Sequence, residues 1–156
     1  MRRKDREVVD NVKINEIISS CHCCRLGFYD DGEVYIVPLN FGFNENDGQR
    51  TFYFHSAKEG RKIDLIYKTH TVGFELDANY ELIEGETACK HSARFQSVIG
   101  TGDIKFIEEP EEKKAALQTI MLHNTGKEDW EFPDAMLQAV GVFKVEVKTL
   151  SCKEHL

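Results

Sequence analysis

The chain has 156 residues, 41% of them hydrophobic and 30% charged, with a net charge of −7. That size and balance fit one soluble globular domain over residues 1–156. They speak against nucleic acid as a main partner, because phosphate binding needs a basic surface. No apolar run approaches the roughly 18 residues of a membrane helix. The charged start MRRKDREVVDN lacks the apolar core of a signal peptide, so a cytoplasmic location with reduced thiols is expected.

In chain order, Val8, Val9, Val12, Ile14, Ile17 and Ile18 punctuate residues 5–20 and predict one or two helical turns, then a short helix from about Asn15. CRLGFYDDGEVYIVPLNFGF reads as a hairpin turning at Asp31-Gly32. Pro38 cannot donate to a ladder, so it marks an edge, a bulge or a break in the second strand. Asn44 to Arg50 is a polar turn around Asp47-Gly48. Thr51 to Phe54 is β-branched and aromatic and predicts a buried strand, and Lys62 to Lys68 a short helix.

HTVGFELDANYEL is a further strand, and Glu84 to Ala93 a loop. RFQSVIGTGDIKFIEE is a long strand in which Gly100 and Gly102 predict a strong bend or the close approach of a ligand. Pro110 opens a helix over EEKKAALQTIMLHN, and Pro133 to Ala139 forms another. Val140 to Val147 alternates apolar and polar and is a half-buried strand. About six strands and three or four helices suit a closed or split antiparallel barrel with peripheral helices.

Four groups of residues carry chemistry. Cys21, His22, Cys23 and Cys24 are contiguous, whereas structural zinc sites draw spaced pairs from two segments. Cys21, Cys23, Cys89 and His91 could supply four ligands. The contiguous placement favours strand thiols on alternating faces, packed as small hydrophobes, and no metal site. No histidine spacing singles out a base for a cysteine nucleophile. His55 ends an aromatic strand, either capping a backbone group or standing beside a ligand as a donor or proton source. In VPLNFGF, Pro38 frees backbone groups that could bond the edge of a flat heterocycle beside Asn40, or it marks a simple bulge. The stretch TFYFHSAKEGRKIDLI leads a strand through Gly60 and basic residues into a helix. That is an ordinary connection or an anion site built on a helix N-terminus.

Taken in order, MRRKDRE, CRLGF and DDG with VYIVPLNFGF, YFHSAKEGRKIDLI, RFQSVIGTGDI and the EEKKAALQTIM helix resemble the pyridoxamine 5′-phosphate oxidase-like split-barrel flavoproteins. The resemblance is greatest to the branch related to 5-nitroimidazole resistance proteins. It covers Met1 to about Leu122. It implies a mainly β fold, a six-stranded antiparallel split barrel that forms a homodimer with FMN in clefts at the interface. It also implies that His55, Ser56 and Ala57 line the cofactor and that Lys62 meets the phosphate near Gly60 and Arg61. Val37, Pro38, Leu39 and Asn40 would lie against the flavin ring, with Phe95 and Ser97 facing it from the other subunit. His55 is the one candidate for a catalytic role. Two features depart from the family: Val34 stands where proline is frequent, and the Glu84 to Ala93 loop shapes the substrate side.

The expected activity is that of an FMN-dependent oxidoreductase acting on a small, nitroaromatic-like substrate. Electrons would come from NAD(P)H held only transiently, since no GxGxxG nucleotide motif is present. The alternatives are a flavin-binding or storage module without turnover, and a heme- or zinc-binding sensor prompted by the CHCC run.

Overall fold

The structure, a computed structural model, describes residues 3–156. Met1 and Arg2 of the MRRKDRE segment lie outside the described residues. The elements are β1 (Glu7–Val8), α1 (Asn11–Ser20), β2 (Cys24–Asp30), β3 (Glu33–Leu39), β4 (Gly42–Asn46) and β5 (Gln49–Ser56). They continue with α2 (Arg61–Thr69), β6 (Thr71–Ile83), β7 (Ser92–Phe106), α3 (Pro110–Thr125), α4 (Asp134–Ala139) and β8 (Gly141–His155). Single 3₁₀ turns cover Lys4–Arg6 and Ala88–Lys90.

All strands join one antiparallel sheet in the order β3-β2-β6-β7-β8-β5-β4, with β1 added against β8. The fold is mainly β with peripheral helices, as expected, but it has eight strands rather than six, and the ladder does not close into a ring. The two extra strands are β1 and β4. The residues of β4 read as the tail of the first hairpin in sequence, yet they pair with β5.

Both hairpin turns follow from local backbone demands. Asp31 and Gly32 have φ of 49° and 97°, and Asp47 and Gly48 have 50° and 82°. Two successive positive φ values match the right-handed twist of a two-residue hairpin. Gly100 and Gly102 serve close approach, but to a strand rather than a ligand. A Cβ on Gly100 would meet the Thr149 carbonyl and the Phe74 ring, and one on Gly102 would lie 2.5 Å from Val145. The β7–β8 register shifts beside them, between Thr101 and Gly102.

Helix α1 begins earlier than the periodicity suggests, at Asn11. Asp10 caps it, its carboxylate accepting from the N–H groups of Val12 (2.8 Å) and Lys13 (3.2 Å). Cys21 is the C-cap of this helix, and only Cys24 of the CHCC run lies in a strand. The cysteines therefore do not alternate on strand faces. Cys21 and Cys24 are both buried, Cys23 is half-buried and Cys89 is exposed.

In the main core, Phe28, Phe41, Phe52, Phe54, Phe74 and Phe143 pack with Ile17, Ile18, Leu65 and Ile66. Helix α2 contributes its apolar stripe here. A second, smaller core lies under α3 and α4, built from Ile107, Ala116, Leu117, Ile120, Leu137 and Val142. Among the described residues, no helix is long and apolar enough to cross a membrane.

Candidate functional site

Helix α2 starts at Gly60, whose φ of 117° and ψ of 169° suit only glycine. No side chain caps this helix, so its first N–H groups and the positive end of its dipole are left for solvent or an anion. Ahead of it, His55 is exposed at the end of β5, opposite Val142. Ser56 turns its hydroxyl onto the Ala57 carbonyl at 2.7 Å.

The two basic residues of the helix start differ in their engagements. Arg61 bonds Asp30 and Glu33, each at 3.2 Å, and lies 4.8 Å above the Tyr35 ring. Lys68, one helix length on, bonds Asp30 at 3.0 Å and Asp31 at 2.8 Å. These two cations hold the half-buried Asp30 carboxyl below the usual carboxylate range, Lys68 contributing most. Lys62 is half-buried and makes no ion pair among the described residues. Of the pair, Lys62 is thus the cation free to meet an anion.

The Arg61 contacts also set the spatial relation that matters. They fasten the start of α2 to the β2–β3 turn, at the Glu33 end of β3, while Val37–Asn40 forms the opposite end of that strand. β3 is an edge strand, paired only with β2, and Pro38 sits within it opposite Arg25 without a register shift. Its other margin offers free backbone groups. Tyr35, Val37 and Leu39 turn toward the core, while Pro38 and Asn40 are exposed. Asn40 donates to the His22 carbonyl at 3.3 Å.

The corner after this segment is locked by residues that the sequence did not single out. Asn124 Nδ2 donates to the Phe41 carbonyl at 2.9 Å, and also to Ile120 O at 2.7 Å. His123 Nε2–H donates to the Cys21 carbonyl at 2.8 Å, with its ring 4.3 Å from that of Phe41. Burial pushes the His123 pKa down, against that hydrogen bond, and so favours the neutral ring. Gly42 abuts the α3 backbone, where a Cβ would lie 2.6 Å from Ile120 N. A cap-like asparagine and histidine near a helix C-terminus were the available sequence signals.

Phe95 and Ser97 lie elsewhere. Phe95 pairs with His155 at the far end of β8 from Val142, the residue that faces His55. One chain does not bring Phe95 to the start of α2. Cys24 pairs with Leu39 beside the Val37–Asn40 segment, but the buried thiols are not activated. Burial pushes Cys21 and Cys152 each up to about 11 and Cys24 higher still, so all three are protonated near neutrality. No group of three or more His, Cys, Asp or Glu side chains with metal-binding geometry occurs among the described residues.

The molecule thus offers an uncapped helix terminus with a lysine that makes no ion pair among the described residues, and an edge strand with free backbone groups. An uncapped helix terminus is chemistry that suits an anion, and free backbone groups on a strand edge suit a polar ligand edge.

A family model described as pyridoxamine 5′-phosphate oxidase matches residues 10–154. Among solved structures, the chain is similar to a candidate 5-nitroimidazole antibiotic resistance protein from Bacteroides thetaiotaomicron. That pair is 35% identical with a TM-score of 0.82, over 95% of this chain and 86% of the other. Two more distant matches share the fold. A flavocytochrome from Azotobacter vinelandii is 16% identical with a TM-score of 0.78, over 100% of this chain and 72% of the other. An FAD-binding protein from Mesorhizobium loti is 18% identical with a TM-score of 0.67, over 97% and 98%. None of the curated proteins matches the chain in sequence.

Proposed function

The chain belongs to the pyridoxamine 5′-phosphate oxidase family, and on that premise we propose that it is an FMN-dependent oxidoreductase working as a homodimer. The observation that carries this reading is the start of α2, where Gly60 leaves the helix uncapped and Lys62 is without an ion pair. Lys62 and the α2 N–H groups hold the phosphate, with Gly60 allowing close approach. The backbone of Val37, Pro38 and Leu39, with Asn40, borders the ring, and His55, Ser56 and Ala57 line the ribityl side. Arg61 acts at one remove, fastening α2 to β3 through Tyr35, Glu33 and Asp30.

Bound flavin supplies the electron transfer, so no protein nucleophile is needed. His55 is placed to donate a hydrogen bond or a proton near the ring. The substrate is a small nitroaromatic-like molecule and the electron donor a reduced nicotinamide held transiently. The similarity to the Bacteroides protein favours the nitro compound. The homodimer is part of the same reading: Phe95 and Ser97 lie at the opposite end of β8 from His55, so a second copy would carry them to the flavin. The exposed Val34 and Ile36 of β3 and Ile99 of β7 provide apolar surface for that contact.

An absorption spectrum tests the reading directly. Purified protein incubated with FMN and freed of excess should show the two flavin bands at one FMN per chain. A colourless protein after that treatment would sink the proposal. Rapid reoxidation of the reduced, protein-bound flavin by a nitroimidazole separates an oxidoreductase from a storage module.

A further inference from the structure

Next to the proposed phosphate site, α3 and α4 meet the end of β7 and the β5–α2 connection around a groove. It consists of adjoining cavities of about 390 Å³ and 200 Å³, and Lys58, Glu108 and Lys113 line both. Lys113 is the anomaly. It is only 8% exposed, yet its ammonium reaches just the carbonyls of Leu137 and Val140, each at 3.5 Å. Good N–H···O hydrogen bonds span about 2.7–3.2 Å, so both contacts are weak.

Two of the acids nearby, Glu111 and Glu112, are committed elsewhere. Glu111 bonds Lys114 at 2.9 Å and Glu112 bonds Lys144 at 2.7 Å. Asp134 lines the larger cavity and makes no ion pair among the described residues. Glu108 is exposed and makes no ion pair with Lys113. A buried cation without a charge partner is costly unless something supplies one. The smaller cavity adds an aromatic wall, Tyr67 and Phe106, with ring centroids 4.6 Å apart and Tyr67 61% exposed.

We propose that this groove binds a small, flat molecule carrying an oxyanion, a carboxylate or a phosphate. Lys113 and Lys58 hold the oxyanion, and Tyr67 and Phe106 hold the flat body. The groove borders the proposed flavin site through Lys58 and Ile63, but holds a second ligand distinct from the flavin. Glu108 and Asp134 oppose the ligand's charge and limit affinity. A purely structural Lys113, capping the end of α4, would bind nothing.

Benzoate and inorganic phosphate, with benzyl alcohol as the neutral control, can be titrated calorimetrically into the full chain with and without saturating FMN. Benzoate should bind saturably, and benzyl alcohol should not. Phosphate that displaces benzoate identifies the natural group as a phosphate; phosphate that fails to do so identifies a carboxylate. Lys113→Met should weaken benzoate at least tenfold, Lys58→Met should weaken it less, and Glu108→Gln should tighten it. Lys62→Ala should leave it unchanged. The proposal is overturned by no saturable binding of either oxyanion, by unaltered affinity in Lys113→Met, by equal binding of benzyl alcohol, or by displacement of benzoate on adding FMN. If Lys113→Met does not fold, the exposed positions decide. Lys58→Met and Glu108→Gln must then shift affinity in opposite directions, and no shift in either overturns the proposal.

Discussion

Two connections flank the proposed flavin site, and they are built on opposite plans. The corner between β3 and β4 is fastened from several sides. Asn124 holds the Phe41 carbonyl, His123 packs on the Phe41 ring, and Gly42 touches the α3 backbone. The connection between β5 and α2 is left open, with exposed residues from Ala57 to Gly60, no helix cap, and a lysine without an ion pair. The difference separates scaffold from receptor. Where the chain must present a fixed edge, its polar groups are satisfied internally. Where it must accept charge, they are left unsatisfied, because a donor already bonded to protein has nothing to offer a ligand.

That contrast predicts that changes at the closed corner should act on stability and changes at the open connection on ligand affinity. The largest effect is expected from Phe41→Ala. Phe41 is fully buried against Phe52 and His123, and removing such a ring costs about 3–5 kcal/mol. Denaturant unfolding should show this loss; a drop well below 1 kcal/mol would mean the corner is not closed.

Next comes Lys62→Ala at the open end. Losing one charge-assisted bond of about 1.5–3 kcal/mol should weaken FMN by roughly ten- to a hundredfold. Riboflavin, which lacks the phosphate, should lose far less. Equal losses for both, read by flavin fluorescence quenching in the folded variant, would show that Lys62 does not hold the phosphate. Global stability should hardly change.

Asn124→Ala leaves the Phe41 carbonyl without its donor and should cost about 1–3 kcal/mol. At saturating FMN, the bound flavin's spectrum should persist. Loss of flavin from a folded variant would show that the corner also contacts the ligand.

The smallest effect concerns His123. Its folded-state pKa lies below its unfolded value because it is buried, with His22 adding slightly. The unfolded chain then binds more protons, so stability rises with pH over that window. The contribution is full above the ordinary histidine pKa near 6.5 and is lost as pH falls through the depressed value. His123→Gln should flatten that slope. An unchanged slope would place the titrating group elsewhere.

Much of this was legible in the sequence wherever the requirement was local. The Asp-Gly turns are demanded by positive φ at two consecutive residues, and the α2 connection by a strand running through Gly60 into a helix. Features that depend on distant partners were not legible. The β4 residues lack strict alternation, and their place comes from pairing with β5 under α3. The CHCC run looked like a strand, but Asp10 starts α1 early and carries the helix through to Cys21. At the site, residue types gave the cationic helix start. They could not show that Arg61 is spent on Asp30 and Glu33, because the β2–β3 turn brings those acids. Lys113 reads as one of a surface run, EEKK, and only the packing of α4 buries it.

The unpaired margin of β3 bears on how the protein behaves at high concentration. Val34 and Ile36 are 69% and 62% exposed there, on a strand with one free side, and such an edge is a template for aggregation by strand addition. Pro38 presents no N–H, so an incoming strand could pair only along the Glu33–Val37 part of the edge and would stop short of Leu39. The residue that leaves the edge open to a flat ligand is thus also a gatekeeper against fibrous self-association.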